Sequence, residues 1–200
     1  MDTRFASADL TAGQLNAIVK KLGGHESALK FLRGELVVLE PASKPEAAMP
    51  EIFHLTVDYG KSLAEMIAPG HYDWTNGDIT AKRFPVSGEG LIEFEARYFH
   101  FDRNISSEDA IKEIESEDTE NPWIPAKIEH TLSHGATFPE EQRKFPIIGL
   151  GSVALVFGGR HVPYLSLGGA ERRLRLIWFG GVWGPFCRFL AVRKVSVPQS

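Results

Sequence analysis

The stretch of sequence that decides the fold lies near the C-terminus, where His161 to Lys194 reads HVPYLSLGGAERRLRLIWFGGVWGPFCRFLAVRK. It shows no helical periodicity. From Ile147 to the end of the chain, short apolar runs are separated by Gly-Gly pairs at 158–159, 168–169 and 180–181. Such pairs are typical of hairpin turns. The pattern therefore predicts an antiparallel meander with strands over 147–157, 161–167, 172–179 and 187–195.

The segment 172–179 alternates with the period of two that a strand requires. One face is predicted to be buried and to carry Leu174, Leu176 and Trp178. The other face is predicted to be exposed, because the opposite register would bury two arginines; it carries Arg173, Arg175 and Ile177. The exposed series is chemically mixed, whereas a catalytic site brings together a few chosen polar groups. The pattern indicates a scaffold that tolerates arbitrary substitutions on one face.

Upstream of the meander, helices follow a strand. Residues 90–101 alternate and predict a strand that pairs with 187–195, and helices are predicted over 106–117 and 125–145. This order defines an α+β fold, with helices packed beside a C-terminal antiparallel meander. Three regions are expected: a helical lead-in over 1–45 that includes a short strand at 35–39, an accessory segment over 50–88, and the main domain over 89–200.

Composition narrows the class of protein. The 200 residues are 43% hydrophobic and 24% charged, which is typical of a globular chain. The single cysteine, Cys187, excludes an internal disulfide framework and a Cys-built zinc site. No apolar run is long enough to span a bilayer, and the N-terminus carries no secretory apolar region. We therefore expect a soluble chain without a signal peptide, cytoplasmic by default, with surface display by another route left open.

Charge is distributed unevenly along the chain. Residues 142–200 carry a net charge of +8 and residues 1–141 carry −12. A basic C-terminal third indicates either an anionic partner or pairing with the chain's own acidic part, and the second interpretation is favoured. The alternative function is a nucleic-acid-binding module that uses Arg173 and Arg175.

Two histidine patterns are candidates for chemical sites. His130 and His134 would share one side of a helix, but no third metal ligand accompanies them, so two ordinary surface histidines are favoured. His54 and Asp58 would share a strand face as a base and its orienting acid. No nucleophile stands at a recognisable elbow, so a structural role is favoured. We expect no catalysis and no metal, and the His54–Asp58 pair is kept as the weaker alternative.

Several short patterns near the C-terminus together carry a resemblance to a family. They are Gly159-Arg160-x-Val162-Pro163-x-Leu165, Arg172-x-Leu174-x-Leu176-x-Trp178-Phe179, Trp183, and Arg188-Phe-Leu-Ala-Val-Arg193. This ending resembles the variable proteins of diversity-generating retroelements. The resemblance implies a C-type lectin-like variable domain. In that family a reverse transcriptase copies a template repeat with mutated adenines, and the copy replaces the end of the gene.

The resemblance also implies which residues form the ligand-binding surface. The implied set borders and continues the exposed face of the strand 172–179, through a loop that Trp183 anchors. Its members are His161, Tyr164, Ser166, Leu167, Gly168, Gly169, Ala170, Arg173, Arg175, Ile177, Gly180, Gly181, Val182, Gly184, Pro185, Phe186 and Cys187. From the residue types in this set, a shallow site for an anionic or mixed surface is expected. The ligand is an unknown protein or surface.

Residue types in this region agree with the family's mutagenesis. Randomised AAC codons cannot encode Lys, Glu, Gln, Met or Trp. Between Ala154 and Cys187 these five types occur only at Glu171, Trp178 and Trp183. The C-terminal half contains none of the calcium-binding motifs Glu-Pro-Asn, Gln-Pro-Asp or Trp-Asn-Asp. We therefore expect no cofactor, no calcium and no lectin activity.

Overall fold

The computed structural model describes residues 11–21, 24–33 and 51–195. The chain divides into two compact units, Met1–Met49 and Pro50–Ser200. The first unit contributes helices α1 (Ala12–Lys21) and α2 (His25–Leu32). The amide of Gln14 donates to Thr11 Oγ1 at 3.3 Å at the start of α1, as an N-cap does. The strand predicted at 35–39 lies outside the described residues.

The second unit holds a mixed set of elements. Its helices are α3 (Leu63–Ile67), α4 (Ser107–Ser116), α5 (Ile128–Thr137) and α6 (Glu141–Lys144), with a 3₁₀ turn at Ala68–Gly70. Its longer strands are β1 (Phe53–Asp58), β3 (Leu91–Phe99), β8 (Gly159–Gly168), β9 (Glu171–Trp178) and β11 (Arg188–Lys194). Its shorter strands are β2 (Trp74–Thr75), β4 (Ile105–Ser106), β5 (Ile124–Pro125), β6 (Ile147–Ile148), β7 (Ala154–Val156) and β10 (Val182–Trp183).

Within residues 51–195, one sheet of nine strands runs in the order β1-β3-β11-β6-β8-β9-β2, with β5 and β7 paired at its sides. Most pairs are antiparallel; β6–β11 and β2–β9 are parallel. The predicted pairing of the 90–101 strand with the last strand is confirmed, with Phe99 opposite Phe189. The fold is therefore α+β with a mostly antiparallel sheet, as the order of elements predicts.

Side chains cover both faces of this sheet. Alternate residues of β11 enter two separate hydrophobic clusters: Leu190 and Val192 join one, and Phe189 and Ala191 join the other. The first cluster contains α5 residues such as Leu132, and the second contains Ile114 of α4. Because side chains pack on both faces of β11, its central residues Phe189 to Val192 are all apolar and buried.

Two expectations about segments are corrected. The strand predicted over 147–157 is broken into β6 and β7, because the chain turns away at Gly149–Gly151. There the amide of Gly151 donates to the Ala126 carbonyl at 2.9 Å, and a Cβ on Gly151 would collide with the Pro125 carbonyl. Residues 50–88, expected as an accessory segment, contribute β1 and β2 to the main sheet.

Candidate ligand-binding site

The two faces of β9 differ less than predicted. Leu174 is buried as predicted, but Leu176, which is predicted to be buried, is half-buried. Arg173, Arg175 and Ile177, which are predicted to be exposed, are half-buried on the opposite face. The prediction that Trp178 is buried is wrong: its side chain is 57% exposed. Trp178 is the last residue of β9, where the alternation ends, and the next residue, Phe179, takes the buried position instead.

A cleft of about 330 Å³ opens on the face that carries Arg175 and Ile177. The face is shared by β8, since Tyr164 pairs with Arg175. The loop that follows β9 closes the other side. Nine residues of the implied ligand-binding set line this cleft: Tyr164, Ser166, Leu167, Arg175, Ile177, Val182, Gly184, Phe186 and Cys187.

The remaining wall of the cleft consists of Pro146, Ile148 and Trp183, which the implied set does not include. Trp183 is 4% exposed, and its Nε1 donates to Ser107 Oγ at 2.8 Å. The Ser107 hydroxyl in turn donates to the Phe179 carbonyl at 2.5 Å. These bonds tie the start and the middle of the loop to the first residue of α4, below the exposed side chains of Val182 and Phe186.

Two members of the implied set are buried and do not lie on an open surface. Cys187 lies in the hydrophobic cluster beneath the cleft, and burial raises the pKa of its thiol, which keeps it protonated. Ser166 is also buried, and its backbone carbonyl accepts from the Gln142 side chain at 2.9 Å. The Ser166 Oγ has no hydrogen-bond partner among the described residues. Both side chains therefore belong to the floor of the cleft.

The structure does not bring the rest of the implied set into the cleft. His161 lies on the other face of the sheet, opposite Trp178. Gly168, Gly169 and Ala170 form the turn between β8 and β9, and Arg173 pairs with Glu171 at 2.7 Å. The lining of the cleft also does not include Gly180, Gly181 and Pro185. The alternation in the sequence therefore identifies the face of β9 on which the cleft lies. Which residues of the implied set line the cleft together depends on the fold.

Charge in the cleft comes from Arg175. Its guanidinium carbon lies 5.6 Å from the centre of the Tyr164 ring, a cation–π arrangement. Among the residues that the structure describes, no carboxylate pairs with it. The cleft thus combines one available cation with aromatic and aliphatic walls.

The predicted histidine sites are not assembled. His130 and His134 are buried in α5, so the prediction of surface histidines is wrong; this side of α5 faces the sheet. The described residues contain no cluster of His, Cys, Asp and Glu that could hold a metal ion. His54 and Asp58 share a face of β1, but they stand four residues apart, or about 13 Å along a strand. The Asp58 carboxylate accepts from the Gly60 amide instead.

The basic C-terminal third is largely paired with the chain's own acids. Arg193 contacts Glu95 at 2.8 Å and Asp118 at 3.2 Å, and Arg160 contacts Glu108 at 2.9 Å. This arrangement agrees with the favoured interpretation of the charge asymmetry and leaves Arg175 as the cation of the cleft.

Comparisons with family models, with curated proteins and with solved structures find no match. Among the described residues, no helix has the length and hydrophobicity needed to cross a membrane.

Proposed function

We propose that this chain is a non-catalytic ligand-binding protein with a C-type lectin-like domain over 89–200, whose cleft is diversified by a retroelement. The observation that carries the proposal is the convergence of nine implied variable residues on one cleft. The neighbours that hold the cleft in shape, Trp183 and Ile148, are buried and lie outside the variable set. A diversified site needs this separation, because changes in the wall must leave the framework intact.

The cleft supports a ligand of mixed character. Arg175 provides a cation without a carboxylate partner in the described chain, and Tyr164, Ile177 and Phe186 provide apolar contact area. The unpartnered Ser166 Oγ adds a buried polar atom that a ligand could satisfy. A group with an apolar body and a carboxylate or similar anion fits these features best.

The DNA around the gene gives the most direct test. We expect a near-copy of the last hundred or so bases beside a reverse transcriptase gene. Its differences from the gene should fall mainly at adenines of the template and at codons for the cleft residues. A neighbourhood without such a copy, or a copy whose differences fall in codons for buried β11 residues, would contradict the proposal.

A library experiment tests the same proposal on the protein. The codons of the seven cleft residues that are not buried, which are all nine except Ser166 and Cys187, are randomised in one library. Seven buried codons of β8, β9 and β11 are randomised in a matched library. Displayed on yeast and treated with protease, most members of the cleft library should remain folded, and few members of the matched library should. Equal losses in both libraries would show that the cleft is not a tolerant surface.

Nucleic-acid binding is the competing outcome. A protein that contacts several phosphates loses affinity steeply with salt. We expect no such salt-dependent binding to generic DNA or RNA, because acids of the same chain pair with Arg160, Arg173 and Arg193. Tight binding that Arg175→Ser and increasing salt both abolish would favour the nucleic-acid module.

A further inference from the structure

A second cavity, of about 190 Å³, lies between β1, α3 and α5, and involves none of the residues of the cleft. Three carboxylates line it, from Asp58, Glu65 and Glu129, together with one amine, from Lys61. Asp58 and Glu65 are partly or fully exposed. Glu129 is 3% exposed, and its Oε2 has no hydrogen-bond partner among the described residues. The cavity thus has a carboxylate in its buried part and two more nearer solvent.

The carboxylates nearer solvent already have partners. Asp58 Oδ1 accepts from the Gly60 amide at 3.0 Å, and its Oδ2 lies 3.7 Å from Lys61 Nζ. Glu65 Oε2 accepts from the amide and the hydroxyl of Ser62 in a capping box. Glu129 is different, because it is buried and one of its oxygens is unsatisfied. Burial raises the pKa of this carboxyl, and a neighbouring cation would favour its ionised form.

Of the three hydroxyl groups that line the cavity, those of Ser133 and Thr137 offer only lone pairs to a ligand. Ser133 Oγ donates its hydrogen to the Thr56 carbonyl at 2.9 Å, and Thr137 Oγ1 donates to the Ser133 carbonyl at 2.9 Å. Each hydroxyl has a single hydrogen, so both oxygens are left as acceptors. Glu129, Ser133 and Thr137 follow one another at intervals of four residues, so their acceptors lie in a row along the side of α5 that lines the cavity. A group that carries only N–H donors matches these acceptors. An ammonium is such a group.

We propose that this cavity binds a small organic cation, with a primary ammonium group held by Glu129 and a short alkyl stem along the apolar wall. Val57, Met66, Pro69 and Ala136 provide that wall. The described residues contain no cluster of His, Cys, Asp and Glu of the kind that holds a metal ion. The apolar wall beside Glu129 matches the alkyl stem of an organic amine. The proposal is independent of the function of the cleft.

The probe for the test is n-butylammonium chloride, and n-butanol is its uncharged counterpart of similar shape. Both are titrated into ¹⁵N-labelled full-length protein at constant ionic strength. We expect saturable shifts of the amides of 129–137 and 56–58 with the ammonium, and much weaker shifts with the alcohol. Glu129→Gln should weaken ammonium binding about tenfold or more, since it removes a buried charged hydrogen bond.

Controls separate this site from general attraction of cations. Glu113→Gln removes an exposed carboxylate on α4, outside the cavity, and should leave the affinity unchanged. Lys61→Gln should tighten binding, because it removes the like charge. If Glu129→Gln does not give a folded spectrum, Ser133→Ala provides a second variant with reduced affinity. Equal binding of the ammonium and the alcohol, or unchanged binding in the folded Glu129→Gln protein, would overturn the proposal.

Discussion

Arg172 Nη2 donates a hydrogen bond of 2.7 Å to the carbonyl oxygen of Gly135, in the last turn of α5. The same nitrogen reaches Gln142 Oε1 at 3.1 Å, and Nη1 reaches the Gly70 carbonyl at 2.7 Å. The side chain is buried without a carboxylate contact in the described chain. Carbonyl dipoles, including those at the C-terminal end of a helix, thus stabilise the buried cation and join β9 to three other segments.

Arg172→Lys is therefore expected to destabilise the protein by roughly 2–4 kcal/mol. A lysine ammonium has no planar fork and leaves at least one buried carbonyl unsatisfied. The neighbouring Arg173→Lys is the matched control and should cost less than about 1 kcal/mol, because Arg173 pairs with Glu171 near the surface. Urea denaturation of both variants measures the difference, and equal costs would show that the buried bonds contribute little.

Trp183, in the wall of the cleft, and Trp178, at the exposed end of β9, should differ sharply in their effect on stability. Trp183→Ala removes a buried ring and its bond to Ser107, and is expected to cost about 3–5 kcal/mol. Trp178→Ala changes a ring that is mostly exposed and should cost less than about 1 kcal/mol. Thermal unfolding of the two variants is the measurement. A larger loss of stability from Trp178→Ala than from Trp183→Ala would show that Trp178, and not Trp183, is the buried ring.

The buried histidines of α5 make stability depend on pH. Burial lowers the pKa of His130 and of His134 to about 3, whereas an unfolded histidine titrates near 6.5. Between about pH 3 and pH 6.5, the unfolded chain therefore binds more protons at these histidines than the folded chain does. Stability is therefore fully present above pH 6.5 and is lost as the pH falls towards 3. At pH 5 the loss is roughly 2 kcal/mol for each histidine.

Denaturation with urea at pH 7.5 and at pH 5 measures this loss. His134→Gln keeps a polar group near Tyr98 Oη, which lies 2.8 Å from His134 Nε2 in the native protein. This variant should lose about half of the pH dependence. His54→Gln, on the exposed face of β1, is the matched control and should keep all of it. An unchanged slope in His134→Gln would assign the acid sensitivity to other groups.

The alternation of apolar and polar residues along the sequence correctly predicted strands and the two faces of a strand, because both depend on neighbouring residues. The alternation in 90–101 predicted β3, and the alternation in 172–179 separated Leu174 from Arg175. Features that depend on distant packing were missed. Whether His130 is buried depends on the sheet that packs against α5. The partners of Arg172 stand at Gly70 and Gly135, far away in the sequence. No sequence signal marks Glu129 as an unpaired buried acid.

The alternation of β9 gives the sharpest test of the cleft, because one strand supplies both the experiment and its control. Changing Arg173, Arg175 and Ile177 together to serine should lower stability by no more than about 2 kcal/mol, since both arginines and the isoleucine are only half-buried. Changing Arg172, Leu174 and Leu176 together to serine should unfold the protein. That set includes the buried guanidinium and a leucine with 0% exposure. Circular dichroism at increasing temperature compares the two triple variants with the native chain. If the first triple variant unfolds and the second does not, the assignment of the two faces, and with it the cleft, is wrong.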